Sequence, residues 1–277
     1  MAHTTLVSTR ELEQSLRSWR VFDCRHDLMK PAWGEQQYRE AHIPGALFAS
    51  LDRDLSAPRD GRKGRHPLPY PGAFLAWVGQ QGLKPSDQVV CYDGGSGSTA
   101  ARLWWMLRWI GHDAVAVLDG GLAQWLKEGR PTTAEVPRFA HTSYPVRLRA
   151  ESTVGVGALE REKDRLLLLD ARSPVRFRGE QEPIDPVAGH IPGAKNRFCN
   201  ENIDASGVFK DPGRLRQEFL EILGDRAPEQ VVNYCGSGVA ACHNLLAMEV
   251  AGLPGAKLYP GSWSDWITDP TRPVGRN

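Results

Sequence analysis

Two kinds of hydrophobic pattern alternate along the chain. Short, largely apolar runs occur at Val21–Asp23, Val89–Tyr92, Ala114–Leu118, Leu166–Asp170, Val231–Tyr234 and Lys257–Tyr259. Each is bounded by glycine or polar residues and predicts a strand. Between them, apolar residues recur every three or four positions, the period of one face of a helix. Such stretches predict helices over Pro71–Gln81, Ala100–Ile110, Leu122–Lys127, Arg214–Leu223, Val239–Val250 and Trp263–Ile267. Ser8 followed by Glu11 has the spacing of a capping box and predicts a helix running to about Trp19. From Asp23 to Pro71 the chain reads as a long polar connection. Strands that are apolar throughout are covered on both faces, so the alternation argues an α/β fold with a parallel sheet flanked by helices.

The pattern occurs twice, in one order. Val21-Phe22-Asp23-Cys24-Arg25 is echoed by Leu168-Leu169-Asp170-Ala171-Arg172, and His42-Ile43-Pro44-Gly45-Ala46 recurs unchanged as His190-Ile191-Pro192-Gly193-Ala194. Val89-Val90-Cys91-Tyr92-Asp93 returns as Val231-Val232-Asn233-Tyr234-Cys235, each time before a glycine-rich turn. Leu118-Asp119-Gly120 with Trp125 is mirrored by Tyr259-Pro260-Gly261 with Trp266. Correlated matches of this kind indicate a tandem repeat. The segment Gly129–Pro145 is polar, proline-bearing and aperiodic. It divides the chain into an N-terminal domain at 1–130, a linker at 131–149 and a C-terminal domain at 150–277.

Composition narrows the function. The 277 residues carry 34 Lys plus Arg against 33 Asp plus Glu, so no basic footprint for nucleic acid is present. No apolar stretch approaches a membrane span, and the N-terminus lacks the basic-then-apolar pattern of a secretory signal. Five cysteines (Cys24, Cys91, Cys199, Cys235, Cys242) form no CxxC pair, an odd set that is no disulfide framework and fits a reducing, cytoplasmic setting. No His/Cys/Asp cluster has metal-ligand spacing, and neither a metal nor an organic cofactor is expected.

Cys235 is the candidate for chemistry. It follows a strand at the carboxyl end, where α/β sheets hold ligands, in Cys235-Gly236-Ser237-Gly238-Val239-Ala240-Ala241. The glycines let the backbone curl so that amide N–H groups converge on the sulfur, and the following helix adds its positive end. Such a loop stabilises an anion carried on sulfur; the bland alternative is a structural cysteine at a strand end. A phosphatase loop of this shape needs an arginine at Ala241, and a cysteine protease needs a paired histidine with a separate oxyanion hole. Cys24, Cys91 and Cys242 read as packed, and Cys199 as open to solvent but not activated. Asp23 with Arg25, Asp170 with Arg172, and the two His-Ile-Pro-Gly-Ala histidines read as loop anchors. Trp104, Trp105 and Trp109 read as core.

With Cys-Gly-Ser-Gly-Val, the paired His-Ile-Pro-Gly-Ala motifs and the two domains in view, the chain resembles the tandem rhodanese-domain sulfurtransferases. The resemblance implies a catalytic C-terminal domain and a degenerate N-terminal copy, in keeping with Asp93 at the place matching Cys235. It implies a Cys235 persulfide, loaded from a small-molecule sulfur donor and discharged to a thiol or cyanide, with a thioredoxin-like reductant as a further candidate partner. Neutral Gly236 and Ser237 resemble the 3-mercaptopyruvate branch, whereas thiosulfate-preferring members place basic residues there. In that branch Ser237 belongs to a Ser-His-Asp relay, which maps onto His66 and Asp52. His66, among Arg62, Lys63 and Arg65, is otherwise a solvated loop histidine. Arg176 matches a donor-carboxylate arginine, with Gly236, Gly238, Val239 and Ala240 supplying the loop around the donor. Two departures stand out: Ile184 where the family has a second arginine, and Ala240 where it has threonine. Arg178 or the Arg62-Lys63-Arg65 run is a candidate replacement cation. Thiosulfate:cyanide transfer, a persulfide carrier for a partner protein, and a redox thiol pairing Cys235 with Cys242 are the alternatives.

Overall fold

The structure, a computed structural model, describes residues 2–61, 63–145 and 147–276. They fall into two compact units, one of Met1–Ala57, Leu68–Arg149 and Ala205–Val208, the other of Pro58–Pro67, Ala150–Asp204 and Phe209–Asn277. The short segment Pro58–Pro67 therefore packs with the second unit although it is flanked in sequence by the first.

In the first unit β1 (Leu6–Val7), β2 (Arg20–Asp23), β3 (Ala46–Phe48), β4 (Val89–Tyr92) and β5 (Val115–Leu118) form a five-stranded parallel sheet in the order β1-β5-β4-β2-β3. Helices α1 (Thr9–Ser15), α2 (Trp33–Glu40), α3 (Pro71–Gln80), α4 (Ser98–Trp109) and α5 (Gly121–Lys127) connect the strands. The Ser8/Glu11 capping box forms in both directions, which settles where α1 starts; it ends at Ser15, short of Trp19. One core face gathers Val21, Val90, Tyr92, Ala116 and Leu118 from the strands with Leu12 and Trp125 from the helices. Each Val and Leu side chain of this set contributes roughly 1.5–3 kcal/mol on burial.

In the second unit β6 (Leu167–Asp170), β7 (Lys195–Asn196), β8 (Val231–Tyr234) and β9 (Lys257–Leu258) form a four-stranded parallel sheet in the order β7-β6-β8-β9. Its helices are α6 (Val156–Glu162), α7 (Pro174–Phe177), α8 (Pro212–Leu223), α9 (Ala240–Val250) and α10 (Ser262–Trp266). Asp211 caps α8 by accepting from the Gly213 and Arg214 N–H groups, with Pro212 set at the first helical position. Leu159, Leu168, Val232, Tyr234, Trp263 and Trp266 build the core.

The paired motifs do the same structural work in both units. Arg25 clamps Asp23, and Arg172 clamps Asp170, through two guanidinium nitrogens each. Tyr92 and Tyr234 accept the backbone N–H of Ile43 and Ile191 at 3.2 Å, pinning each His-Ile-Pro-Gly-Ala turn to the central strand. The histidines of those turns bond carbonyls, His42 that of Tyr38 at 2.6 Å and His190 that of Phe177 at 2.7 Å. No helix among the described residues is long and apolar enough to cross a membrane.

Candidate active site

The Cys235 loop leaves the carboxyl end of β8 and is held by α10 and its approach. Trp263 N–H donates to the Cys235 carbonyl and Ser264 N–H to the Gly236 carbonyl, both at 2.9 Å. Cys235 N–H donates to Ser262 Oγ at 3.1 Å, and Ser262 Oγ donates on to the Tyr259 carbonyl at 3.0 Å. Ser262 adopts φ 56°, the only positive φ outside glycine among the described residues. That conformation costs free energy and is retained where the surroundings fix it. Gly238 sits at φ 77°, and a Cβ there would stand 2.4 Å from the Pro260 carbonyl oxygen, so glycine is required twice over. The turn brings Gly238 N–H onto Cys235 Sγ at 3.1 Å. The sulfur is nearly enclosed, at 3% exposure, at the start of α9.

Two residues after Cys235, Ser237 Oγ and His66 Nδ1 share a hydrogen bond at 2.7 Å, both side chains being buried. The solvated-loop reading of His66 is thus corrected: Pro58–Pro67 folds onto the second unit and encloses the ring. Asp52 lies in the turn after β3 of the first unit, 41% exposed, with its carboxylate 3.9 Å from His26 Nδ1. Arg176, on α7, directs Nε and Nη2 to Glu182 (3.1 and 2.7 Å) and Nη2 also to Asp185 (3.2 Å). Glu182 in turn takes Arg172 at 3.2 Å. Burial pushes the Glu182 carboxyl up, but Arg176 and the N–H groups of Asp185 and Ile184 outweigh it and hold it below its ordinary range. Arg178 is spent on Glu180 at the surface, and Arg62 lies outside the described residues.

The first unit carries the same loop with a carboxylate in place of the thiol. Leu122 N–H bonds the Asp93 carbonyl at 2.9 Å, the counterpart of the Trp263 bond. Asp93 Oδ1 accepts from Gly95 and Gly97 N–H at 2.9 Å each, and Oδ2 from Thr99 N–H at 3.1 Å, Thr99 Oγ1 at 3.0 Å and Ala100 N–H at 3.4 Å. A loop of this build therefore surrounds an anion with backbone donors. A carboxylate oxygen lies one bond beyond the Cγ that matches Sγ, the place a second sulfur takes on a cysteine persulfide.

A family model described as "Rhodanese-like domain" matches residues 8–128 and 157–269. The chain belongs to the rhodanese-like family. A Pseudomonas aeruginosa protein named "Probable 3-mercaptopyruvate sulfurtransferase" is 48% identical over 258 residues, covering 92% of this chain and 91% of the relative. The "Thiosulfate sulfurtransferase" of Gallus gallus is 34% identical, covering 95% and 93%. Among solved structures, the 3-mercaptopyruvate sulfurtransferase SseA of Escherichia coli, titled for its "Rhodanese" fold, superposes with TM-score 0.80 at 29% identity, covering 95% of this chain and all of that one. The family read from the motifs is the one found, and this rhodanese-like chain is a sulfurtransferase.

One feature of the rhodanese-like site escapes a reading of the sequence. Ser262 is an ordinary serine until its φ and its bond to Cys235 N–H are seen. Arg65 belongs to the run named above as a candidate replacement cation, and it faces Gly236: a Cβ there would stand 2.7 Å from Arg65 Nη2. Cys199, expected at the surface, is 5% exposed, because its N–H donates to the Ala171 carbonyl and tucks the short turn against the sheet.

Proposed function

We propose that this sulfurtransferase takes sulfur from 3-mercaptopyruvate through a persulfide on Cys235 and passes it to a thiol or cyanide. The Cys235 thiolate attacks the donor sulfur; the carbon–sulfur bond breaks, its electron pair leaving on carbon as the pyruvate enolate, and Cys235 becomes the persulfide. The enolate takes up one proton to give pyruvate. In the second half, cyanide attacks the outer sulfur of the deprotonated persulfide, the S–S bond breaks toward Cys235, and thiocyanate leaves with the thiolate restored. A thiol acceptor carries the sulfur away in the same manner, a dithiol protein of the thioredoxin kind included.

The observation that carries this reading is the 2.7 Å hydrogen bond between His66 and Ser237, two residues after Cys235. A carbon leaving group needs a proton delivered; sulfite, the leaving group of thiosulfate, does not. A positioned hydroxyl–imidazole pair is the arrangement for such delivery, and the family pattern names Asp52 as the carboxylate that orients the imidazole. Arg176 supplies charge for the donor carboxylate, with the backbone of Gly236, Gly238, Val239 and Ala240 around the transferred sulfur. Five free thiols suit the reducing interior of a cell.

The test is kcat/KM for 3-mercaptopyruvate and for thiosulfate, read as thiocyanate, in the wild type, Cys235→Ser and His66→Asn. Cys235→Ser abolishes both activities. His66→Asn lowers the 3-mercaptopyruvate value on the order of 100-fold or more and the thiosulfate value little, since proton transfer typically contributes about 10²–10⁴. Equal losses for both donors refute the relay. A wild type that prefers thiosulfate refutes the donor assignment.

A further inference from the structure

His66 reaches Ser237 from a segment that comes from far away in the sequence, and the two residues before it are docked on the start of α10. Gly64 sits at φ 83°, and a Cβ there would stand 2.7 Å from the Gly261 carbonyl oxygen and 2.8 Å from Ser264 Oγ. The backbone passes flush against the helix because residue 64 has no side chain. Arg65 then donates its backbone N–H to Ser264 Oγ at 3.0 Å. His66 follows, 3% exposed, and meets Ser237 Oγ through Nδ1 at 2.7 Å. Pro67 restricts the His66 backbone to extended conformations. The imidazole is therefore placed by where its two predecessors are held.

Ser264 is the residue that both loops share. Its backbone N–H donates to the Gly236 carbonyl at 2.9 Å, one residue before Ser237. Its hydroxyl accepts from Arg65, one residue before His66, and donates to the Gly261 carbonyl at 3.4 Å. The side chain is buried, so solvent competes little for that hydroxyl. Two hydrogen bonds from one residue thus fix how far the peptide before Ser237 stands from the peptide before His66. That distance matters for chemistry. A proton passes between groups within hydrogen-bond reach, and a displacement of about 1 Å costs up to about 100-fold in rate.

We infer that Ser264 is a positioning residue of the sulfur transfer. It docks Pro58–Pro67 on the Cys235 loop, with Gly64 leaving it room, and so sets the His66 imidazole against Ser237. It acts through His66 and not on the reacting atoms. Its catalytic meaning rests on the Ser237–His66 relay of the proposed function, but the docking itself is readable without any donor.

The experiment is a double-mutant cycle in the full chain with a spectroscopic readout beside it. Ser264→Ala removes the hydroxyl and keeps the N–H that holds Gly236. It lowers kcat/KM for 3-mercaptopyruvate about tenfold relative to thiosulfate, with the fall in kcat and not in KM, because proton delivery is disturbed and donor binding is not. In a His66→Asn background the same substitution changes that ratio less than about twofold, as a residue acting through His66 requires. Gly64→Ala, which pushes the segment off α10, reproduces the fall. Independently, the ¹⁵N signals of the His66 ring, assigned by their loss in His66→Asn, report one fixed tautomer in the wild type. Ser264→Ala moves them toward the averaged values of an imidazole whose tautomers exchange. An equal loss in the wild-type and His66→Asn backgrounds overturns the inference and makes Ser264 a support of the loop alone. Unchanged His66 signals in Ser264→Ala overturn it as well. Signals that move in a protein whose His66→Asn variant treats both donors alike keep the docking and remove the relay.

Discussion

Replacing Asp93 by asparagine tests whether the glycine-rich loop is built around an anion. The substitution keeps shape and removes charge, so its effect isolates what the backbone donors do. The side-chain carbonyl oxygen of the variant still accepts from Gly95 and Gly97, whose N–H groups lie at 2.9 Å from Asp93 Oδ1. The amide nitrogen, however, takes the place of Oδ2 and meets Thr99 N–H at 3.1 Å and Ala100 N–H at 3.4 Å, donor against donor. The Thr99 hydroxyl, at 3.0 Å, rotates and accepts instead. One half-buried and one buried donor are orphaned, and two more bonds lose their charge assistance. At about 1.5–3 kcal/mol for each bond to a charged group, the gross loss is about 3–6 kcal/mol. Relief of the desolvation cost of a buried carboxylate returns part of this and leaves about 2–4 kcal/mol. For a unit of this size that lowers Tm by roughly 6–16 °C. Scanning calorimetry at neutral pH on the full chain, wild type against Asp93→Asn, measures it. A Tm shift below about 2 °C would mean that the amides do not favour negative charge, and a stabilised persulfide on Cys235 would lose its support with it.

Other consequences are narrower. Gly238→Ala forces a Cβ to within 2.4 Å of the Pro260 carbonyl at a left-handed φ, displacing the N–H that reaches Sγ; sulfur transfer drops on the order of 100-fold or more in a thiocyanate assay, and near-wild-type turnover excludes the loop geometry described. Ser262→Ala removes the acceptor of the buried Cys235 N–H and lowers stability by about 1–3 kcal/mol in urea titration; no change would show that N–H to be satisfied otherwise. Glu182→Gln tests the arginine frame through pH. Because the folded-state pKa of Glu182 is depressed, its stabilisation is present above the unfolded value and is lost as the pH falls below about 4.5 through the folded value. The variant is therefore less stable than wild type near neutrality, and the difference in urea midpoints shrinks on acidification; a constant difference removes the assignment.

What the sequence reveals of the fold follows from how much hydrophobic signal each element carries. β4 and β8 are read to the residue because every position is buried and the flanking turns are marked by polar residues and glycine. The polar stretch after Asp23 hides α2 and β3. In α2 only Gly34 and Tyr38 are buried, so no apolar stripe announces the helix. β7 is Lys195–Asn196 at a sheet edge, where pairing to β6 needs backbone groups and no apolar side chain. α7 is a single turn started by Pro174, too short for a period. The site divides in the same manner. Cys235, Ser237 and Arg176 are legible because they lie in contiguous motifs tied to a strand end or a short helix. Arg65 is legible only as one member of the Arg62-Lys63-Arg65 run, because its place depends on Pro58–Pro67 leaving its sequence neighbours for the second unit, an event set by tertiary contacts such as those of Gly64 against Gly261 and Ser264. One signal is present in the sequence: the glycine at 236, next to a nucleophile, marks a place where something else must fit.

The two loops together explain how one frame serves opposite ends. Both curl from the end of a central strand into a helix, and both anchor the residue at the strand end by an N–H from the facing helix, Leu122 in one unit and Trp263 in the other. In the first unit the donors are occupied by the Asp93 carboxylate, and the loop becomes a stable cap on the strand. In the second the cysteine is shorter by one atom, and Gly238 N–H reaches its sulfur at 3.1 Å. On the proposed reading, the persulfide would be held by preorganised dipoles instead of by reorganised solvent, which favours the loaded enzyme over free thiol. Cations at the mouth have to draw in an anionic donor without trapping the anionic product. The paired acids Glu182 and Asp185 meet that demand: they neutralise the arginines overall while leaving individual N–H groups directed at the loop. A donor thus gains directional hydrogen bonds more than net charge, and selectivity comes from where the guanidinium edges stand, which is a matter of Gly236 leaving them room.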